Sequence, residues 1–162
     1  MSPLRPLLVL AIGLAVTTPA SAQLIEHKDL SLAAALTIAT AAAERCKAEG
    51  YTVSVAVVGR EAQLLVHLRG DGSPPHSMEN SYRRAYTALT FRRPTIEVEK
   101  RMRADPADQL TRLEHVMAAQ GGLPIVVGGD VIGAVAVSGA PGGDKDEACA
   151  KAGIDKVADQ LK

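Results

Sequence analysis

The sequence predicts an α/β (α+β) domain: an antiparallel β-sheet covered by helices, in the order α-β-β-α-α-α-β-β-α. Two observations carry that prediction. Aliphatic, β-branched residues alternate in two pairs of short runs, each pair joined by a short glycine-bearing turn, which marks two hairpins. Segments with helical period lie before, between and after the hairpins, and no strand–helix–strand alternation calls for a parallel sheet.

The first helix is expected over residues 31–49, "SLAAALTIATAAAERCKAE", capped by Ser31 and closed by Gly50. Its apolar stripe reads Leu32, Leu36, Ala39, Ala43 and Cys46. "YTVSVAVV" then alternates Val53, Val55 and Val57 with Thr52, Ser54 and Ala56, and "GREA" turns the chain into "QLLVHLR". In that second strand Leu64, Val66 and Leu68 face one way, Leu65 and His67 the other.

After "GDGSPP" a helix spans roughly 77–92, with Met78, Tyr82, Ala85 and Leu89 on one stripe; Pro94 ends it. A second helical piece over 95–104 starts from Thr95. A third, 107–119, lies beyond Pro106 with Leu110, Leu113 and Met117 on one side. "LPIVV", "GGD" and "VIGAVAVSG" form the second hairpin, and a last helix is expected over 144–161 with Asp144 as its cap.

The first 22 residues have the secretory pattern: Arg5, the apolar run Leu7–Val16, then "TTPASA", with Ala20 and Ala22 placed for cleavage before Gln23. A run of about ten apolar residues falls short of the roughly 20 that span a bilayer. The reading is a signal peptide at 1–22 and one domain at 23–162, periplasmic or secreted. Removing Arg5 leaves 17 basic against 18 acidic side chains, so no general attraction draws the chain to nucleic acid. Cys46 and Cys149 fall in the first and last helices. A disulfide forms there if those helices pack together, and two buried thiols remain if they do not.

Aromatics are scarce, three Tyr and one Phe without Trp, yet Tyr82, Tyr86 and Phe91 share one helix with Arg83, Arg84, Arg92 and Arg93. His76 stands before that helix behind Pro74 and Pro75, which restrict the backbone that presents it. An imidazole, flat rings and guanidiniums are the groups a planar iron porphyrin asks for: an axial bond, walls, and partners for its propionates. A core stripe with a solvated basic face explains the same residues equally well. Of the other histidines, His67 lies mid-strand, His115 beside an apolar stripe, and His27 in the N-terminal arm. The sequence carries no nucleophile elbow, zinc-helix motif or Walker loop. The glycine-rich stretch 138–153 reads as a tight strand-to-helix turn, because Asp144, Asp146 and Glu147 at the helix start repel an anion.

The segments "DGSPPHSMENSYRRAYTALTFRRPT", "GGLPIVVGGDVIGAVAVSGAPGGDKDEACAKAG" and "AAAERCKAEGYTVSVAVV" resemble the GlcG/HbpS haem-binding family, which also includes PduO C-terminal domains. The resemblance covers essentially all of 23–162. It implies a profilin-like sheet flanked by helices, homo-oligomers, and haem as cofactor, with cobalamin as the alternative. It also implies no assigned chemistry, and for exported members a membrane sensor or transporter as partner. Carried onto this chain, His76 becomes the axial ligand, with His67 as the alternative. Tyr82 and Tyr86 become pocket walls, and Arg83 or Arg84 the propionate partners. A rival reading is an enzyme or accessory for a small organic acid, using Arg83, Arg93 and His76. The chain departs from the family where an Asp-x-x-Gly turn is common; here the turn is "VVGREAQ", with Gly59 and Ala62.

Overall fold

The computed structural model describes residues 23–105 and 107–161. The expected signal peptide, 1–22, lies outside them. The elements are α1 (Leu32–Ala48), β1 (Ser54–Gly59), β2 (Leu64–Arg69), α2 (His76–Phe91), α3 (Thr95–Ala104), β3 (Gly122–Val127), β4 (Asp130–Ser138) and α4 (Gly143–Asp155). The strands form one antiparallel sheet in the order β2-β1-β4-β3. α1 and α4 cover one face, α2 and α3 the other. This is the mixed α/β architecture that the two hairpins predicted.

Each hairpin has its own turn chemistry. Gly128 and Gly129 both take positive φ, 58° and 90°, between β3 and β4, as a tight two-residue turn requires. Between β1 and β2 the left-handed position falls on Ala62, φ 61°, where a Cβ is disfavoured. Pairing Val55 with Leu68 and Val57 with Val66 puts alternate strand residues into the core beneath α1.

Three expectations are corrected. In α1 the buried stripe is Ala35, Ile38, Ala39, Ala42 and Cys46, whereas Leu32 and Leu36 are exposed. The close approach of α4 selects that stripe: a Cβ on Gly153 would lie 2.5 Å from the Ile38 carbonyl oxygen, and Ile38, Ala42 and Cys46 face α4. Segment 107–119 is not an α-helix but a 3-10 turn, Gln109–Arg112, followed by an irregular strap. The strap's N–H groups go to tertiary partners instead: Met117 N–H to Thr87 Oγ1 (2.8 Å) and Gln120 N–H to Glu99 Oε2 (2.9 Å). Finally, α4 starts beyond Gly142 and ends at Asp155, with a separate 3-10 turn at Ala158–Gln160. Asp144 sits in the first turn rather than at the cap.

Cys46 and Cys149 form a disulfide joining α1 to α4, with Cα atoms 5.5 Å apart. No helix among the described residues is long and apolar enough to cross a membrane.

Candidate functional site

On α2, Glu79, Tyr82, Arg83 and Tyr86 follow at helical spacings of three, four and seven, so they share one face. That face lies to the side of the sheet-packed alanines, with Tyr82 at its edge still touching the central-strand cluster. The adjoining face packs Ala85 and Ala88 onto Ala56, Ala134 and Ala136 of the central strands. Over the outer face runs the strap at residues 113–120. Arg83 Nη2 donates to the Val116 carbonyl (3.1 Å), and Thr87 Oγ1 accepts from Met117 N–H. The Val116 side chain is buried against Val98 and Met102 of α3.

Between these anchors the strap presents His115. Its backbone is left-handed, φ 65°, uncommon for a residue with a side chain. Its imidazole meets both tyrosines edge-on, with ring centroids 5.8 Å from Tyr82 and 5.5 Å from Tyr86. The two tyrosine rings are 6.4 Å apart. Glu79, Tyr82, Arg83, Glu114 and His115 line an open cleft of about 400 Å3. Arg83 Nη1 also contacts Glu79 Oε1 at 3.3 Å, which stretches the guanidinium along the cleft edge.

The residues nominated from sequence separate. Tyr82 and Arg83 line this cleft, and Tyr86 meets the His115 ring while packing against the Val98–Met102–Val116 cluster. His76, the first residue of α2, is exposed and lies on the stripe that continues through Glu79 and Arg83, at its outer end. Arg84 points the other way: Nη1 donates to Asp146 Oδ2 (2.7 Å) and to the Val137 carbonyl (2.8 Å). Both side chains of that pair are largely buried, and they tie α2 to β4 and the start of α4. Burial pushes the Asp146 carboxyl above its usual range; the Ala140 N–H and the Arg84 guanidinium pull it back. By taking the Ala140 N–H, Asp146 also fills the glycine-rich turn with its own carboxylate, as expected of a structural turn.

His67 lies under α2. Its Nε2 is 3.0 Å from both the Met78 carbonyl and Ser81 Oγ, and burial pushes its pKa below the ordinary value, partly offset by the Met78 carbonyl. His115 is the residue that sequence reasoning passed over. Helical periodicity placed it on an α-helix, and no local signal marks the tertiary bonds that unwind the strap.

A family model described as "Haem degrading protein HbpS-like" matches residues 30–155. The chain belongs to the HbpS-like family. It is 37% identical over 114 residues to the Escherichia coli (strain K12) "Protein GlcG", covering 67% of this chain and 81% of that one. The crystal structure of HbpS superposes with a TM-score of 0.79 at 38% identity, over 86% of this chain and 97% of that chain. A crystal structure of a PduOC–heme complex shares the fold, with a TM-score of 0.74 at 23% identity over 80% and 95% of the two chains. The chain is therefore a haem-related protein by family.

The donor set at the cleft fits a haem. Imidazole and phenol are both axial ligands for haem iron, rings and aliphatics wall the macrocycle, and a guanidinium pairs a propionate. A cleft of this size takes part of a porphyrin and leaves its other edge outside. With Arg84 committed to Asp146, the cation of α2 left at the cleft for a propionate is Arg83; Arg92 caps the helix near Asp130 and Arg93 lies beyond its end. Among the described residues, no group of three His, Cys, Asp or Glu side chains forms a protein-only metal cage.

Proposed function

We propose that this chain is an exported haem-binding protein that senses, scavenges or stores haem, with the iron held by a histidine at the outer face of α2. The observation that carries the reading is the imidazole–tyrosine cluster of His115, Tyr82 and Tyr86 beside Arg83, in a chain of the HbpS-like family. A protein of the same fold bound to heme supports it. Haem would supply a redox-active iron; the chain's own groups bind, orient and shield it. Export is supported by the N-terminal pattern and by a disulfide of the kind that persists in oxidising compartments. A homo-oligomer working with a membrane sensor or transporter completes the proposal.

Ferric haem titrated into the purified protein lacking residues 1–22 should produce a saturable Soret shift. The sequence nominated His76 as the ligand, so His76→Ala belongs in the same series. A flat titration overturns the haem reading, and cobalamin run in parallel tests the alternative guest. The small-acid reading gains nothing from the geometry. Its three groups do not converge: His76 begins α2, Arg83 lies at the cleft, and Arg93 is exposed beyond the helix end, bonded to the Phe91 carbonyl.

A further inference from the structure

We infer that His115, rather than His76 or His67, is the side chain that meets the haem iron. This rests on the haem-binding reading above and names the ligand within it.

Three properties set His115 apart. First, it is pre-positioned. A left-handed backbone at a residue with a side chain persists only where the surroundings over-determine it, and here they do. Arg83 holds the Val116 carbonyl, Thr87 holds the Met117 N–H, and the Val116 side chain is clamped against Val98 and Met102. The residues just after His115 are thus pinned by two hydrogen bonds and a buried contact, and its ring is wedged against two tyrosines. A ligand held in place before binding loses little entropy on coordination. His76 has no such support; it is an exposed first-turn residue of α2.

Second, the ring is accessible while its neighbours are walls. The His115 side chain is 46% exposed, and its Nε2 approaches no closer than 3.8 Å to Glu114 Oε1, beyond hydrogen-bond reach. His67 offers the reverse: its Nε2 is already held between the Met78 carbonyl and Ser81 Oγ beneath the helix. Using that nitrogen for iron would break both contacts and require α2 to move away.

Third, the other groups of the cluster lie with His115. At 1.5 Å of rise per residue, His76 lies roughly 9 Å along α2 from Tyr82 and roughly 15 Å from Tyr86. His115 sits between those two rings. The two tyrosine rings and Arg83 thus lie with His115, at a distance along the helix from His76.

The test is the ferric haem spectrum, Soret position and electron paramagnetic resonance together, of wild type, His115→Gly, His115→Asn and His76→Ala. Glycine and asparagine both accept the left-handed backbone, so the fold should survive; circular dichroism and the thermal midpoint check that. Both His115 variants should shift the Soret band and lose at least tenfold in haem affinity. Free imidazole should restore the wild-type spectrum in His115→Gly, a rescue that a merely structural residue would not show. His76→Ala should match wild type. The inference is overturned if the His115 variants keep the wild-type spectrum. It also fails if His76→Ala alone shifts it, or if Tyr82→Phe or Tyr86→Phe removes the signature while His115→Gly keeps it. Those failures leave haem binding standing, whereas a wild type that takes up no haem removes both the function and this ligand.

Discussion

The two faces of the sheet are built by opposite means. Under α1 and α4 the chain closes on itself with alanines, a glycine seam and a covalent bond between helices. Over α2 and α3 it holds an irregular strap in place with single hydrogen bonds from Arg83, Thr87 and Glu99, and leaves aromatic rings half-open to solvent. Close packing of small side chains makes a rigid seam between α1 and α4. A strap held by side-chain bonds can carry a residue in a conformation that no regular element would allow. One face thus carries stability and the other carries the site, and each can be broken without the other.

The largest expected effect is on the closed face. Opening the disulfide with Cys46→Ser/Cys149→Ser releases a loop of 103 residues, which costs about 4–5 kcal/mol on the chain-entropy model. Chemical denaturation should show a large fall in midpoint, while the protein still folded in buffer keeps an unchanged haem spectrum. A changed spectrum would mean the two faces are coupled.

Next comes the buried ion pair that joins the faces at the start of α4. Arg84→Met strands the Asp146 carboxylate and should cost about 3 kcal/mol or more. Adding Asp146→Leu should recover only part of that loss, since it removes the stranded carboxylate but leaves the Ala140 N–H without its acceptor. If the single variant is as stable as wild type, Arg84 is not structural and returns to the list of propionate partners.

The smallest effect is on pH dependence beneath α2. Burial lowers the His67 pKa from 6.5, so below pH 6.5 the unfolded chain takes up a proton that the folded one resists. The stability contribution is complete above pH 6.5 and declines as pH falls toward the lowered folded value. His67→Gln should flatten the part of the melting-temperature profile just below pH 6.5. An unaltered slope would show that His67 protonates freely in the fold.

The hairpins, the order of elements and the aromatic–arginine helix were legible because each rests on local chemistry. Alternating valines make strands, paired glycines make the β3–β4 turn, and Pro94 stops α2. Three features were not legible. Leu32 and Leu36 look like core residues, yet α4 packs on the neighbouring stripe of Ile38, Ala42 and Cys46 and leaves both leucines exposed. Arg84 differs from Arg83 only by one helical step of about 100°, which sends it to Asp146 instead of the cleft. His115 sits in a segment with helical period whose backbone bonds are claimed by Thr87 and Glu99.

The sequence by itself determined the class of fold, the family and the helix on which the ligand chemistry gathers, since short-range periodicity, turn residues and motif identity are written along the chain. The tertiary structure alone decided which groups from that helix face outward, that Cys46 meets Cys149, and that a histidine from a distant strap completes the cluster. Those outcomes depend on contacts between residues tens to a hundred positions apart, where packing distance and hydrogen-bond competition override local preference.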